Sequence, residues 1–260
     1  MGLASKPKQA DVLVLAPHPD DAELCCGGLL LLMRAAGMSV AIADCTEGEM
    51  GTRGTVATRR REAAAADRIL GTRARVNLKL PDGHLCDDER LRVALVRVLR
   101  TFRPRVLLAP HWEDQHPDHA AVGQAAEAAA WLCGAPKFDP RSARGIAAHD
   151  RPPYRPETVL YYNNRYGIDA DLVVDIASVF ERKLELVLCY GTQFGPGKKS
   201  AGKAPQTKLS SDRFIDFLRA MHGFYGFKIG AAYGEPYCVK GPVAVKDVAG
   251  WLGQAPQSAK

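Results

Sequence analysis

The chain is 260 residues long, 47% hydrophobic and 25% charged. That size and balance exclude a disordered or low-complexity chain and allow one large domain or two small ones. The net charge of +6 is too scattered for the basic stripe of a nucleic-acid binder, and the longest apolar runs (Val12–Pro17, Leu29–Met33) fall far below the ~20 residues of a membrane span.

Asp11–Ala16 is a short apolar run ending at a proline, the pattern of a strand buried on both faces. Residues 23–36 read as a helix closed by Gly37, and Val40–Asp44 as a second strand. A Gly/Thr-rich loop over 47–56 leads to a helix running from Thr58, as N-cap, to Leu70, with Gly71 behind it. Arg75–Leu80 is expected as strand three, Asp88–Thr101 as a helix, Val106–Ala109 as strand four and Pro117–Cys133 as an alanine-rich helix. The Pro/Arg/Gly-rich stretch 134–156 is an excursion between elements. Two further strands are expected at Thr158–Asn163 and Leu172–Ile176, then a helix over Ser178–Tyr190. A mobile Gly/Pro/Lys-rich loop over 195–206 and an amphipathic helix over Ser211–Phe224 follow.

This alternation predicts an α/β fold: a Rossmann-like, mostly parallel sheet with helices on both faces and a C-terminal capping region. The expected organisation is a tail over 1–10, a single domain over 11–245 and a second tail over 246–260. Seven cysteines, an odd number without any C-x-x-C pair, read as buried reduced thiols of a cytoplasmic protein. Residues 1–10 carry two lysines with no apolar stretch behind them, so no signal peptide is expected.

The first strand ends in Ala16-Pro-His-Pro-Asp-Asp21. Ligands of parallel α/β sheets bind beyond the carboxyl ends of the strands, so a site belongs here. Adjacent carboxylates repel, and a turn holding both is costly without a cation between them. The alternative is that Asp20 or Asp21 only N-caps the next helix. Beyond strand four stands His111-Trp-Glu-Asp-Gln-His116-Pro-Asp-His119, with three of the chain's seven histidines in nine residues. His116 and His119, three apart at a helix start, can face one point. Brought to one sheet edge, the two clusters supply His, Asp and His to a metal and leave a position open for water, as in catalytic zinc sites. Asp20 and the second histidine are then placed for acid–base work.

His18-Pro-Asp-Asp21 followed by Glu23, together with His116-Pro-Asp-His119, resembles the LmbE-like or PIG-L family of zinc-dependent N-acetylglucosamine deacetylases. Within it, the chain looks like the bacillithiol-biosynthesis deacetylases that act on N-acetylglucosaminyl malate. Supporting stretches are Thr46–Glu49, Gly54–Arg59, Leu80–Gly83, Val174–Ile176, Gln193-Phe194 and Tyr225 to Tyr233, so the resemblance covers residues 10–240. Departures from the family pattern are Cys25-Cys26 and a lysine-rich stretch over 197–208.

The resemblance implies one zinc per chain held by His18, Asp21 and His119, with Asp20 as general base. His116 becomes the positively charged or proton-donating partner, and Asp118 orients it by accepting its second N–H. It further implies a homo-oligomer, trimer or hexamer, acting on a small amino-sugar conjugate and releasing acetate. The departing nitrogen takes its proton from Asp20 or from His116. Arg53 and Arg59 suit a malate carboxylate or a sugar hydroxyl, and Tyr233 matches a family tyrosine able to reach the oxyanion. His84, His149 and His222 read as surface or core histidines. Two other functions compete. One is a metal-dependent amidase on another sugar or thiol conjugate (mycothiol-type or chitooligosaccharide). The other is a non-catalytic Rossmann-like binding protein, against which stands the lack of G-x-G-x-x-G after strand one.

Overall fold

Every position of β1 (Val12–Ala16) and β2 (Val40–Asp44) is buried, which is why both read as nearly unbroken apolar runs. The computed structural model describes residues 9–138, 152–162, 169–194, 205, 207–211 and 213–242. Its remaining strands are β3 (Ala74–Asn77), β4 (Val106–Pro110), β5 (Thr158–Tyr162), β6 (Leu172–Asp175) and β7 (Gly234–Cys238). The helices are α1 (Asp21–Ala35), α2 (Val56–Leu70), α3 (Glu89–Phe102), α4 (Pro117–Leu132), α5 (Phe180–Leu188) and α6 (Phe214–Lys228).

The seven strands form one sheet in the order β3-β2-β1-β4-β5-β7-β6. β1 to β5 run parallel, and β7 is antiparallel to both of its neighbours. The mostly parallel α/β fold expected from the sequence is therefore what the chain adopts. Side-chain alternation builds a core on each face. Val12 and Val14 join α1, α2, α5 and α6 on one side. Leu13 and Leu15 join α3 and α4 on the other. β1 pairs with β2 on one edge and β4 on the other, so the crossovers diverge there. A crevice opens at that switch point, beyond the carboxyl ends of both strands.

Local chemistry moved several boundaries. α1 starts at Asp21 rather than Glu23, which puts both acidic residues in its first turn. The N-cap of α2 is Thr55, not Thr58: Thr55 is extended and its Oγ1 accepts from the Thr58 N–H at 3.2 Å. β3 stops at Asn77 instead of Leu80, and Lys79 turns the chain at φ 55°. β7 has no counterpart among the expected strands, because Gly-Glu-Pro-Tyr-Cys is made of types mostly depleted in strands. Its ladder is imposed by tertiary pairing. All seven cysteines are free, but Cys86 is exposed and Cys189 half-buried, which corrects the expectation of seven buried thiols. The expected tails (in large part), the core of the 134–156 excursion, His149, most of the 195–206 loop and most of the lysine-rich stretch lie outside the described residues. Among those described, no helix is long and apolar enough to cross a membrane.

One buried polar network ties the C-terminal elements to α1. The Glu235 carboxylate accepts from the main-chain N–H groups of Gly28 (3.0 Å) and Leu29 (2.7 Å), from the Tyr237 hydroxyl (2.7 Å) and from Lys183 Nζ (2.6 Å). Lys183 also reaches His222 Nε2 at 2.9 Å, while His222 Nδ1–H donates to the Gly234 carbonyl. His222 is therefore neutral; burial and the Lys183 charge push its pKa down to about 3. Gly28 is required for this packing, since a Cβ there would stand 2.6 Å from Ile176 Cγ2.

Candidate active site and metal centre

The turn after β1 and the turn after β4 meet because the two strands are neighbours. Gly123 lets α4 sit close to the end of β4, since a Cβ there would lie 2.5 Å from the Pro110 carbonyl oxygen. His18 Nδ1 and His119 Nε2 each stand 3.3 Å from Asp21 Oδ2. Ligands bound at ~2.1 Å in a tetrahedron are ~3.4 Å apart, so each imidazole nitrogen already stands at donor spacing from Asp21 Oδ2, and all three atoms lie within 4.8 Å of one another. Two imidazoles and one carboxylate form a donor set suited to zinc or iron.

The outward nitrogens of both imidazoles face carboxylates, the usual support of metal-binding histidines. His18 Nε2 lies 3.0 Å from Asp82 Oδ1 and 3.2 Å from Asp118 Oδ2, and His119 Nδ1 is 3.5 Å from Asp114 Oδ2. Burial opposes charge on His18, yet Asp118, Asp21 and Asp82 outweigh it and push its pKa up to about 12. Burial is likewise outweighed at His119, which Asp21 and Asp114 raise to about 9. The field at this point favours a cation, and the residues fit a divalent metal.

A second cluster of His18, His116 and Asp118 also has donor atoms within 4.8 Å of one another. Its atoms are engaged elsewhere. Asp118 accepts the N–H groups of Gly83 (2.8 Å) and Leu85 (3.1 Å), and His116 Nδ1 accepts the Asp118 N–H at 3.2 Å. His116 is thus the N-cap of α4, with Pro117 behind it. The Asp118 carboxylate faces His18 and not His116, contrary to expectation: on the first turn of α4 its side chain is drawn to the 83–85 loop.

Asp20 occupies the N-cap position of α1 but makes no capping hydrogen bond. It is held at φ 138°, a strained conformation for a residue with a side chain. Its Oδ2 pairs with the Arg59 guanidinium at 3.0 Å, and Arg59 also donates to the Pro19 carbonyl. Burial pushes the Asp20 carboxyl up to about 7 against the pull of Arg59. Asp21 moves the opposite way: despite burial, His119 and His18 hold it well below the usual carboxylate range. Adjacent carboxyls with environments that push their pKa values apart are suited to different roles.

These groups open into a cavity of about 400 Å³, within the range of small-ligand sites. His18, Asp20, Asp21, Arg59, His116 and His119 all line it. Arg53 does not; its carbonyl holds the Gln193 side chain instead. Tyr233 is also absent from the wall, its ring stacked on Phe180 at 3.7 Å on the helix face of the sheet. Sequence reasoning missed Asp82 and Asp114 as partners of the imidazoles, although both lie in stretches it had marked.

Residues 13–130, which contain both clusters, match the family described as GlcNAc-PI de-N-acetylase, PIG-L. The diacetylchitobiose deacetylase of Thermococcus kodakarensis is 32% identical over 234 residues, 86% of this chain and 80% of that protein. The chain belongs to the PIG-L family. A structure of the N,N'-diacetylchitobiose deacetylase from Pyrococcus horikoshii with its inhibitor shares 28% identity at a TM-score of 0.74, covering 92% of this chain and 87% of that one. A probable N-acetyl-alpha-D-glucosaminyl L-malate deacetylase of Bacillus subtilis is 27% identical over 197 residues, 70% of this chain and 82% of that protein. As a PIG-L member the chain is a metal-dependent N-deacetylase, a hydrolase of amide C–N bonds.

Proposed function

We propose that the chain removes the acetyl group of an N-acetylglucosaminide through one zinc ion held by His18, Asp21 and His119. Two imidazole nitrogens, each 3.3 Å from Asp21 Oδ2, beside the separately held Asp20 carry this reading. A zinc ion there supplies Lewis acidity toward the acetamido carbonyl and toward a water. Asp20 accepts the proton of the attacking water, its carboxylate steadied by Arg59. Because His116 Nδ1 is occupied by the Asp118 N–H, the neutral ring carries its hydrogen on Nε2. That N–H serves the oxyanion, and the amine leaves once Asp20 returns to it the proton taken from the water. Acetate and the free amino sugar are the products.

The cavity wall speaks to the aglycone. Among the described residues lining it, Arg59 is the one guanidinium or ammonium, and it is already paired with Asp20 near the carboxylates of Asp21 and Asp82. Among the described residues the wall offers a malate dianion no free cation, which supports a neutral sugar of the chitooligosaccharide type. Two of the relatives above are diacetylchitobiose deacetylases, which supports this over the malate conjugate. Acetate release from diacetylchitobiose should exceed that from N-acetylglucosaminyl malate by at least about tenfold in kcat/KM, given the cost of uncompensated like charge. A preference for the malate conjugate would overturn this choice.

Asp21→Ala and His119→Ala are each expected to strip most of the zinc from the purified protein, read by elemental analysis. Chelation of the wild type should abolish acetate release, and zinc should restore it. Full zinc content in both variants would remove these residues from the ligand set.

A further inference from the structure

We propose that Gln193 reads a ring hydroxyl of the amino sugar, accepting its hydrogen bond through Oε1; this rests on the substrate reading above. Gln193 lies on the wall of the catalytic cavity, in the turn after α5. Its amide can be oriented without ambiguity. Nε2 stands 2.8 Å from the Arg53 carbonyl oxygen, which only accepts. It also stands 3.0 Å from Thr192 Oγ1, whose own hydrogen is given to Glu62 Oε2 at 2.8 Å, so this oxygen too must accept. Both Nε2 hydrogens are thereby placed, and Oε1 is the amide atom left for the cavity.

The turn is rigidly held. Glu62 also accepts the Thr192 N–H at 2.8 Å, the Gln193 N–H donates to the Tyr190 carbonyl at 2.8 Å, and the buried Phe194 ring stacks on Phe214 at 5.1 Å. An acceptor fixed in advance costs little ordering on binding. Two other acceptors of the wall are engaged. Asp82 faces His18 through Oδ1 and the Met50 N–H through Oδ2, and Thr207 Oγ1 is bonded to Ser210. An uncharged acceptor fixed on the wall suits a sugar hydroxyl, and leaving it dry penalises a sugar that lacks that group.

The test is a cycle between protein and substrate. Zinc-loaded wild type, Gln193→Ala and the shape-conserving Gln193→Met are assayed for acetate release. Substrates are an N-acetylglucosaminide and its 3-, 4- and 6-deoxy forms. In the wild type, one deoxy form should lose about tenfold in kcat/KM. Both variants should lose about tenfold on the parent sugar and show no further loss on that same deoxy form, with zinc content and Tm unchanged. A deoxy penalty that persists in the variants, or an equal loss on all four sugars, would overturn the role of Gln193. No acetate release from any parent sugar by the wild type would instead overturn the amino-sugar reading, and this one with it.

Discussion

Asp20→Asn is expected to lower kcat by roughly 10²–10⁴-fold, the usual contribution of a positioned general base, while the protein keeps its zinc. The carboxamide has the same shape and its oxygen can still face Arg59, so the strained turn at φ 138° should survive. What it loses is the ability to take a proton. Asp21→Asn should do the reverse and lose metal, because Asp21 Oδ2 is the atom both imidazoles face at 3.3 Å. Acetate release paired with elemental analysis separates the two outcomes. Zinc loss in Asp20→Asn as complete as in Asp21→Asn would exchange the roles of ligand and base.

The residues of this centre were legible in the sequence because their chemistry and their place are both local. Val12–Ala16 and Val106–Pro110 announce buried parallel strands, and the His/Asp clusters follow each directly. What the sequence could not show is which side chains face each other across the fold. Arg59 read as a guanidinium for a malate carboxylate or a sugar hydroxyl, yet it turns inward to Asp20, a partner on a different strand-end loop. Asp82 sat in a marked turn, but its contact with His18 exists only once the loop after β3 folds over β1. Tyr233 has the right type for an oxyanion contact but is absent from the cavity wall, because just before β7 its ring stacks on Phe180 of α5. β7 itself escaped because Glu235 and Pro236 argue against a strand until the buried network around Lys183 is known.

Lys183→Met is expected to destabilise the protein by about 3–5 kcal/mol, measured by denaturant unfolding, the cost of leaving one member of a buried ion pair without its partner. Lys183 and Glu235 are both fully buried and 2.6 Å apart. Removing Lys183 leaves the Glu235 carboxylate with the N–H groups of Gly28 and Leu29 and the Tyr237 hydroxyl, but with no opposite charge. The double variant Lys183→Met/Glu235→Gln should recover part of the loss, since the amide oxygen still accepts from α1 and carries no charge. The pH dependence has a definite sign. In the wild type burial works against the Glu235 charge, but Lys183 outweighs it and holds the carboxyl below its ordinary value. Without Lys183, burial is unopposed by that charge and the folded carboxyl takes up a proton at a higher pH than the unfolded chain does. Protonation then favours the folded variant, so its deficit should narrow as pH falls from 7 to 5. A deficit equal at both pH values would mean that removing Lys183 does not raise the Glu235 carboxyl into this range. Because α1 begins at Asp21, the loss should also be felt at the metal site, where metal retention should weaken in Lys183→Met and return with the double change.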